Sequence, residues 1–277
     1  MGLRLLTWRT RYFRDGVTTA PFADHLSAVE ADWPAVDSVG VGTHEVSVET
    51  LAGSHHAAIA VHNWVGLDAP TLIWHHGGGE HPYDSIFTGV FPDAHAVGAN
   101  LLLVRAPGHE ARGGVQHVGA TLDGYLAMLA TSVAATEHVL DSLEAARTVV
   151  AGYSLGGFAT NRHYVAYDTA DAYVPFMAGT AHGEIFLTTV PAARRALARP
   201  DYLRRRLDFI DGWRRRDNDS VRPILGLDDC LNRYETQRAS YPGVNPETWP
   251  VGHIRGISAH DAIRAVLEEE LFEPEET

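Results

Sequence analysis

The first regular pattern in the chain is an alternation of polar and apolar residues over 44–51 and again over 57–64. A period of two places successive side chains on opposite faces, so each segment is predicted to form a half-buried strand. Gly53-Ser54 lies between the two segments and supplies a turn. We therefore expect two neighbouring strands joined by a short connection.

From residue 71 onward the apolar residues form short uninterrupted runs, which are typical of strands covered on both faces. These runs are 71–76, 100–106, 147–153 and 172–178, with a later one at 222–227. Helix-like segments separate the first four runs, at roughly 84–98, 119–144 and 155–167. Because strands and helices alternate, we predict an α/β fold with a mostly parallel central sheet flanked by helices.

The alternation stops at about 183–220, where the sequence predicts two or three short, Arg-rich amphipathic helices. We interpret this segment as a small helical cap inserted between strands, with a peripheral helical pair as the alternative. A final amphipathic helix is predicted over 257–272. Residues 1–43, rich in aromatic side chains, are expected to form an N-terminal extension packed on a single core domain of residues 44–277.

Composition excludes several classes of function. The formal net charge of −13 disfavours a nucleic-acid partner, because phosphate binding needs a basic face. The single cysteine, Cys230, excludes an intrachain disulfide and a cysteine-rich zinc site, and we expect it to be a small buried side chain. No apolar run reaches the roughly 18 residues of a membrane span, and we expect a cytoplasmic protein. Nothing in the sequence indicates an oligomeric state.

The segment VVAGYSLGGFA, Val149 to Ala159, runs an apolar strand directly into a serine flanked by glycines. In a tight strand-to-helix turn the central residue is strained, and side chains two positions on either side would collide. Gly152 and Gly156 remove that collision, and Gly157 lets the next helix pack closely on the sheet. The turn lifts the Ser154 hydroxyl clear of the strand ends, toward the helix N-terminal amides. We predict that Ser154 is a nucleophile; a chance occurrence of the pentapeptide is the alternative.

This pattern resembles the nucleophile elbow of the α/β-hydrolase superfamily, and the resemblance covers roughly residues 44–272. It implies a serine nucleophile that is followed along the chain by an acid and then by a histidine. No cofactor is implied. The sequence contains neither a G-x-G-x-x-G pattern nor a P-loop lysine, so a nucleotide-binding glycine loop is not supported.

A glycine-rich loop, His75-His76-Gly77-Gly78-Gly79, follows the apolar TLIW, where the superfamily commonly carries its oxyanion loop. Consecutive glycines leave backbone N–H groups free to point into a cleft. We expect the amides of Leu155 and Gly78 to form the oxyanion hole, with the two neighbouring glycines as alternatives to Gly78. The adjacent histidines do not indicate a metal site, because neighbouring residues of a strand point to opposite faces.

A serine hydroxyl needs a base to take its proton. His253 lies in WPVGHIRG, predicted to be a loop before the last helix, where the superfamily places its base. His260, on or near the first turn of that helix, is the alternative. His182 could line the cleft, whereas His163 lies too far along the helix that follows Ser154.

The segment GLDDCL offers two candidate acids, Asp228 and Asp229, directly after the predicted strand 222–227. The superfamily pattern of a glycine, two residues and then an aspartate favours Asp229, counted from Gly226. Asp228 remains possible if the strand register differs by one residue.

These residues predict a serine hydrolase that cleaves an ester, thioester or small amide of a small-molecule acyl substrate. Ser154, His253 and Asp229 would form its triad. The alternatives are acyl transfer or carbon–carbon or carbon–cyanide bond cleavage on the same scaffold, or a ligand-binding protein without turnover.

Overall fold

A computed structural model describes residues 11–36 and 40–272. Its centre is a nine-stranded sheet in the order β1-β2-β3-β5-β4-β6-β7-β8-β9. The strands are β1 (Glu30–Ala31), β2 (Gly42–Thr50), β3 (Gly53–Asn63), β4 (Thr71–His75), β5 (Asn100–Arg105), β6 (Thr148–Tyr153), β7 (Ala172–Phe176), β8 (Ile224–Gly226) and β9 (Glu247–Trp249).

The first three strands pair antiparallel with their neighbours, and the strands from β4 to β9 pair in parallel. The predicted mostly parallel sheet is therefore confirmed. Strand β9 (Glu-Thr-Trp) and the two-residue β1 (Glu-Ala) were not anticipated, because neither lies in an apolar run or in an alternating segment of the sequence.

Twelve helices accompany the sheet in the described residues, besides a 3-10 turn at Ala94–Ala96. They are α1 (Phe22–Ser27), α2 (Ser85–Val90), α3 (Gly114–Val118), α4 (Leu122–Asp141), α5 (Leu155–Ala166), α6 (Gly183–Thr188), α7 (Arg194–Leu197), α8 (Pro200–Leu207), α9 (Ile210–Trp213), α10 (Tyr234–Arg238), α11 (His253–Ile257) and α12 (His260–Phe272).

The buried strands carry side chains to both faces of the sheet. Along β6, Val149 and Ala151 pack in the same cluster as α2 and α12, whereas Val150 packs with α4 and Tyr164 of α5. Both faces are thus covered by helices, which explains why these strands read as continuous apolar runs.

The insertion between β7 and β8 contains four short helices, α6 to α9, where two or three were predicted. The described part of the N-terminal segment packs against it: the Tyr12 amide donates to the Pro191 carbonyl, and the Ala193 amide donates to the Tyr12 carbonyl. The domain boundary at residue 43 stays a prediction. Within residues 11–36 and 40–272, no helix combines the length and apolarity needed to cross a bilayer.

Candidate active site

Ser154 lies in the turn between β6 and α5 with φ 57° and ψ −111°, a conformation that L-residues rarely adopt. Strain of this kind costs about 1–3 kcal/mol and persists where the surrounding structure imposes it. A Cβ on Gly152 would lie 2.6 Å from the Gly156 carbonyl oxygen, and one on Gly156 would overlap the His75 carbonyl. Both positions therefore require glycine, because the backbone of the turn and of β4 approaches them closely.

Ser154, His253 and Asp229 form one hydrogen-bonded chain. The Nε2 atom of His253 lies 2.9 Å from Ser154 Oγ, and its Nδ1 atom lies 2.7 Å from Asp229 Oδ2. An ionised carboxylate only accepts hydrogen bonds, so Nδ1–H donates to Asp229 and the Nε2 lone pair faces the serine hydroxyl. The structure thus brings the three predicted side chains together in the geometry of a nucleophile, a base and an orienting acid.

The carboxylate of Asp229 is held by three donors. Its Oδ1 accepts hydrogen bonds from the amides of Leu231 and Asn232, each at 2.8 Å, while Oδ2 accepts from His253. Asp228 is exposed, and its amide donates to the Val251 carbonyl. Of the two candidate acids, the structure places Asp229 beside the imidazole.

The remaining candidate histidines face other partners. His260 packs against Gly89 of α2, and His163 Nε2 lies 3.0 Å from Glu137 Oε2. His182 Nε2 lies 2.8 Å from the Tyr125 hydroxyl. The expectation that His253 lies on a loop was wrong, because this residue begins the short helix α11.

Comparison with protein-family models and with curated protein sequences gave no match. Solved structures do match, among them an acylaminoacyl peptidase from Pyrococcus horikoshii, with a TM-score of 0.56 and 12% identity over 90% of this chain and 43% of that one. This chain spans less than half of the peptidase's length.

Two esterase structures match over most of their length. One is an acetyl xylan esterase from Paenibacillus sp. R4, with a TM-score of 0.54 and 15% identity over 94% of this chain and 99% of that one. The other is Est1E from Butyrivibrio proteoclasticus with ferulic acid bound, with a TM-score of 0.55 and 15% identity over 78% and 95%. These neighbours share one fold, with a mostly parallel sheet between helices. The chain has the α/β-hydrolase fold.

In this α/β-hydrolase fold the glycine loop after β4 lies beside the start of α5. A Cβ on Gly78 would lie 3.2 Å from Leu155 Cδ2, so this loop backbone packs directly on the residue after Ser154. The amide of Gly77, one of the two alternatives to Gly78 as an oxyanion donor, already donates to Glu80 Oε2 at 2.9 Å. The Gly78 amide makes no hydrogen bond to any residue that the structure describes. The Leu155 amide opens α5 and has no partner within the helix.

Glu80 braces the glycine loop. Its Oε2 accepts from the Gly77 amide, and its Oε1 accepts from the Ile86 amide at 2.6 Å and from the Ser85 hydroxyl at 3.2 Å. Burial raises the pKa of this carboxyl from 4.5 to about 7, although the hydrogen bonds from Ile86 and Gly77 oppose the increase. Glu80 could not be recognised from the sequence, because its partners lie on both sides of it, at Gly77 in the loop and at Ser85 and Ile86 in the first turn of α2.

The paired histidines that begin the loop point away from each other. His75 Nε2 lies 2.9 Å from the Thr136 hydroxyl of α4, whereas His76 Nε2 accepts from the Ala106 amide at 3.0 Å. Burial lowers the pKa of His75 to about 3, so this imidazole is neutral. In the described ranges, no three or more His, Cys, Asp or Glu side chains are grouped so that they could hold a metal ion.

Tyr153, the residue before the serine, supports the histidine. Its hydroxyl donates to the His253 backbone carbonyl at 2.5 Å, and the two rings lie 5.6 Å apart. A Cβ on Gly256 would lie 2.5 Å from the Tyr153 hydroxyl, so a glycine at this position of α11 leaves space for the tyrosine side chain.

Cys230 is exposed, and the expectation of a buried side chain was wrong.

Two cavities adjoin Ser154. The smaller, of about 170 Å³, is lined mainly by aromatic and aliphatic side chains from several segments, and the larger, of about 420 Å³, extends along the glycine loop to His253. Residues that sequence analysis gave no site role line the smaller cavity, namely Tyr12, Tyr125, Phe158, Ile185, Phe186 and Val190. They come from four separate parts of the chain, namely the N-terminal segment, α4, α5 and the region of α6, and only the aromatic content near the N-terminus indicated a packing role for Tyr12.

Proposed function

We propose that this protein is a serine hydrolase that cleaves an ester, thioester or small amide through an acyl-enzyme. The observation that carries the proposal is the chain of hydrogen bonds from Ser154 through His253 to Asp229, at 2.9 and 2.7 Å. That chain begins at a serine held in a strained turn. Three groups in this order are what an unreactive hydroxyl needs to become a nucleophile.

In the proposed first step, Ser154 Oγ attacks the substrate carbonyl while His253 Nε2 takes the hydroxyl proton. The tetrahedral intermediate places a negative charge on the former carbonyl oxygen, toward the amides of Leu155 and Gly78. One such donor is worth about 2.7–4 kcal/mol of transition-state stabilisation. Asp229 holds the imidazole tautomer and stabilises the imidazolium that forms.

The intermediate then collapses. The bond between the carbonyl carbon and the leaving atom breaks, and the leaving atom takes the proton from His253 Nε2. Water next attacks the acyl-enzyme, with His253 accepting its proton, and the acid product departs as Ser154 Oγ regains a proton. Each step uses side chains and amides of this chain.

The structural neighbours support the proposal at the level of chemistry. An acylaminoacyl peptidase and an acetyl xylan esterase, by their names, act on acyl groups. At 12–15% identity they do not assign a substrate to this chain, so its acyl group has to be inferred from its own cavities.

A fluorophosphonate probe tests the proposal directly. The phosphonyl group mimics the tetrahedral intermediate, and we expect one covalent adduct on the peptide that contains Ser154. Ser154→Ala should abolish both labelling and hydrolysis of activated esters. Ser85→Ala is the matched control and should still be labelled at Ser154. Intact-mass and peptide mass spectrometry would detect the adduct; a folded parent protein that stays unmodified would favour a ligand-binding role instead.

A further inference from the structure

The two cavities beside Ser154 contain different parts of the proposed machinery. Gly78, Ser154 and Leu155 line the smaller cavity, so it holds the nucleophile and both proposed oxyanion donors. Ser154 and His253 line the larger cavity together with Gly78. A substrate bound at Ser154 can extend into either cavity, and the imidazole of His253 lines only the larger one.

If the proposed hydrolase function holds, the position of His253 determines which cavity takes the acyl group of the substrate and which takes the leaving group. The general acid must reach the atom that leaves, which requires a distance close to that of a hydrogen bond. The leaving group therefore extends into the larger cavity beside His253. The acyl group, whose carbonyl lies between Ser154 and the two amides, extends into the smaller cavity.

Rings from Tyr12, Tyr125, Phe158, His182 and Phe186 form a large part of the wall of the smaller cavity. Phe186 meets Tyr12 and Tyr125 edge to face, with both centroid distances at 5.2 Å. The imidazole of His182 stacks on Phe158 at 3.9 Å with an interplanar angle of 3°. Burial holds the pKa of His182 well below its usual value, so its ring serves as one more uncharged flat surface. Such faces and edges pack favourably with a further aromatic ring.

The size of the smaller cavity fits one ring. Its volume is about 170 Å³, and an apolar protein cavity of about 150 Å³ is enough to bind benzene. A bare acetyl group would leave most of this space unfilled. Besides the rings, the wall contains aliphatic and polar residues, namely Leu155, Ile185, Val190, Leu231, Gln116 and Asn232.

We propose that the smaller cavity is an acyl-binding site for a single aromatic ring. The preferred substrates are then esters, thioesters or amides of arylalkanoic or aryl carboxylic acids, with the leaving group in the larger cavity. The ring occupies the space bounded by Tyr12, Tyr125, Phe158 and Phe186.

Esters with one leaving group and different acyl groups test this assignment. The 4-nitrophenyl esters of acetic, octanoic, cyclohexylacetic and phenylacetic acid would be compared by kcat/KM, each corrected for its hydrolysis rate in buffer. Burying a phenyl group predicts a value for phenylacetate at least about 10-fold above that for acetate. Because of contacts between aromatic rings, kcat/KM for phenylacetate should also be about 3–10-fold above that for cyclohexylacetate, which has a similar size without an aromatic face. Equal values for the two six-membered rings, or a maximum at octanoate, would overturn the proposal.

A substitution that fills the cavity gives an independent test. Val190→Trp should lower the phenylacetate-to-acetate ratio of kcat/KM by at least about 10-fold, because the indole occupies the space of the acyl ring. Val65→Trp makes the same change at an exposed position and should leave the ratio unchanged. Ile185→Trp serves as the second filling variant if Val190→Trp does not fold. A folded filling variant with the parent's ratio would place the acyl group elsewhere.

The outcomes separate this inference from the proposed function. A protein that is labelled by fluorophosphonate at Ser154 but shows no preference for phenylacetate contradicts only the aryl-acyl site. A folded protein that is not labelled contradicts both. Labelling at Ser154 together with the expected preference supports both.

Discussion

His253 and His182 are both buried imidazoles, and each lines a cavity that Ser154 also lines, but their surroundings differ. His253 has a partner for each ring nitrogen, the carboxylate of Asp229 and the hydroxyl of Ser154. His182 contacts the Tyr125 hydroxyl through Nε2, and its Nδ1 has no hydrogen-bond partner among the described residues. One imidazole belongs to a polar chain that ends in an anion, and the other is stacked on a phenyl ring.

The difference indicates what makes a buried histidine useful as a base. An adjacent carboxylate stabilises the imidazolium that forms when the ring accepts a proton. His182 lacks a carboxylate contact in the described structure, and burial together with the nearby Arg162 lowers its pKa well below 6.5. Burial in the wall of a cavity that contains Ser154 is therefore insufficient; the carboxylate on the far side of the ring distinguishes His253 as the proposed base.

The largest expected effect separates the two histidines. His253→Ala should lower kcat by about 10⁶-fold, because removal of the base from a serine triad costs nearly all of its catalysis. His182→Gln should change kcat by less than about 10-fold, since this ring only forms a wall. Steady-state hydrolysis of an activated ester would measure both, with circular dichroism to confirm folding. Equal losses in the two variants would contradict the distinction.

Asp229, the proposed orienting acid, should have the next largest effect on turnover. Asp229→Asn should lower kcat by about 10⁴-fold, because an amide at this position supports the wrong imidazole tautomer. Asp228→Asn is the matched control at an exposed neighbour and should stay within about 2-fold of the parent. Were Asp228 the more sensitive position, the hydrogen bond to His253 would not reflect the working geometry.

A smaller effect on turnover is expected at Glu80, which braces the glycine loop. Glu80→Gln replaces one accepting oxygen by an NH₂ group, so one of the amides of Gly77 and Ile86 then faces a donor. A displacement of the loop by about 1 Å would lower kcat by about 10²-fold. Ser85→Ala removes the weakest of the three hydrogen bonds to Glu80 and should have little effect. Unchanged turnover in Glu80→Gln would show that Glu80 does not position the proposed oxyanion donors.

The same variant has a predicted pH signature in stability. Because the folded-state pKa of Glu80 is raised from 4.5 to about 7, the folded state binds the proton more tightly than the unfolded state. The stability that this carboxyl contributes is thus full below pH 4.5 and is lost as the pH rises through 7. Relative to Glu80→Gln, the free energy of unfolding of the parent should fall by up to about 3 kcal/mol across this pH range. Urea unfolding of both proteins at pH 4.5 and 7.5 would measure the difference.

The smallest effect on turnover is expected at Tyr125, the hydrogen-bond partner of His182. Tyr125→Phe removes the hydroxyl that lies 2.8 Å from His182 Nε2 and leaves a buried nitrogen unpaired. We expect a loss of about 1–3 kcal/mol in unfolding free energy, with kcat within a few-fold of the parent. Thermal and urea unfolding would test it; a stable variant with a collapsed kcat would instead make His182 part of the chemistry.

The strained turn at Ser154 could be predicted because its causes are local. Gly152 and Gly156 are required by close approaches within one turn and from β4, and both leave a direct mark in the sequence. The sequence pattern after β8 limited the candidates for the proposed acid to two neighbouring residues, Asp228 and Asp229. Only the register of the turn, in which the Asp229 amide donates to the Gly226 carbonyl, directs the second aspartate inward.

The sequence by itself determined the alternation of elements, the strained serine and a short set of acids and bases, because these depend on residues that are near one another in the chain. The tertiary structure decided which histidine meets the serine, since Ser154 and His253 are 99 positions apart. It also decided the position of the ring-lined cavity, whose rings come from the N-terminal segment, α4, α5 and the region of α6. Apolar residues in each of these segments obey the same periodicity whether they fill a core or line a cavity, so their role appears only when the segments pack together.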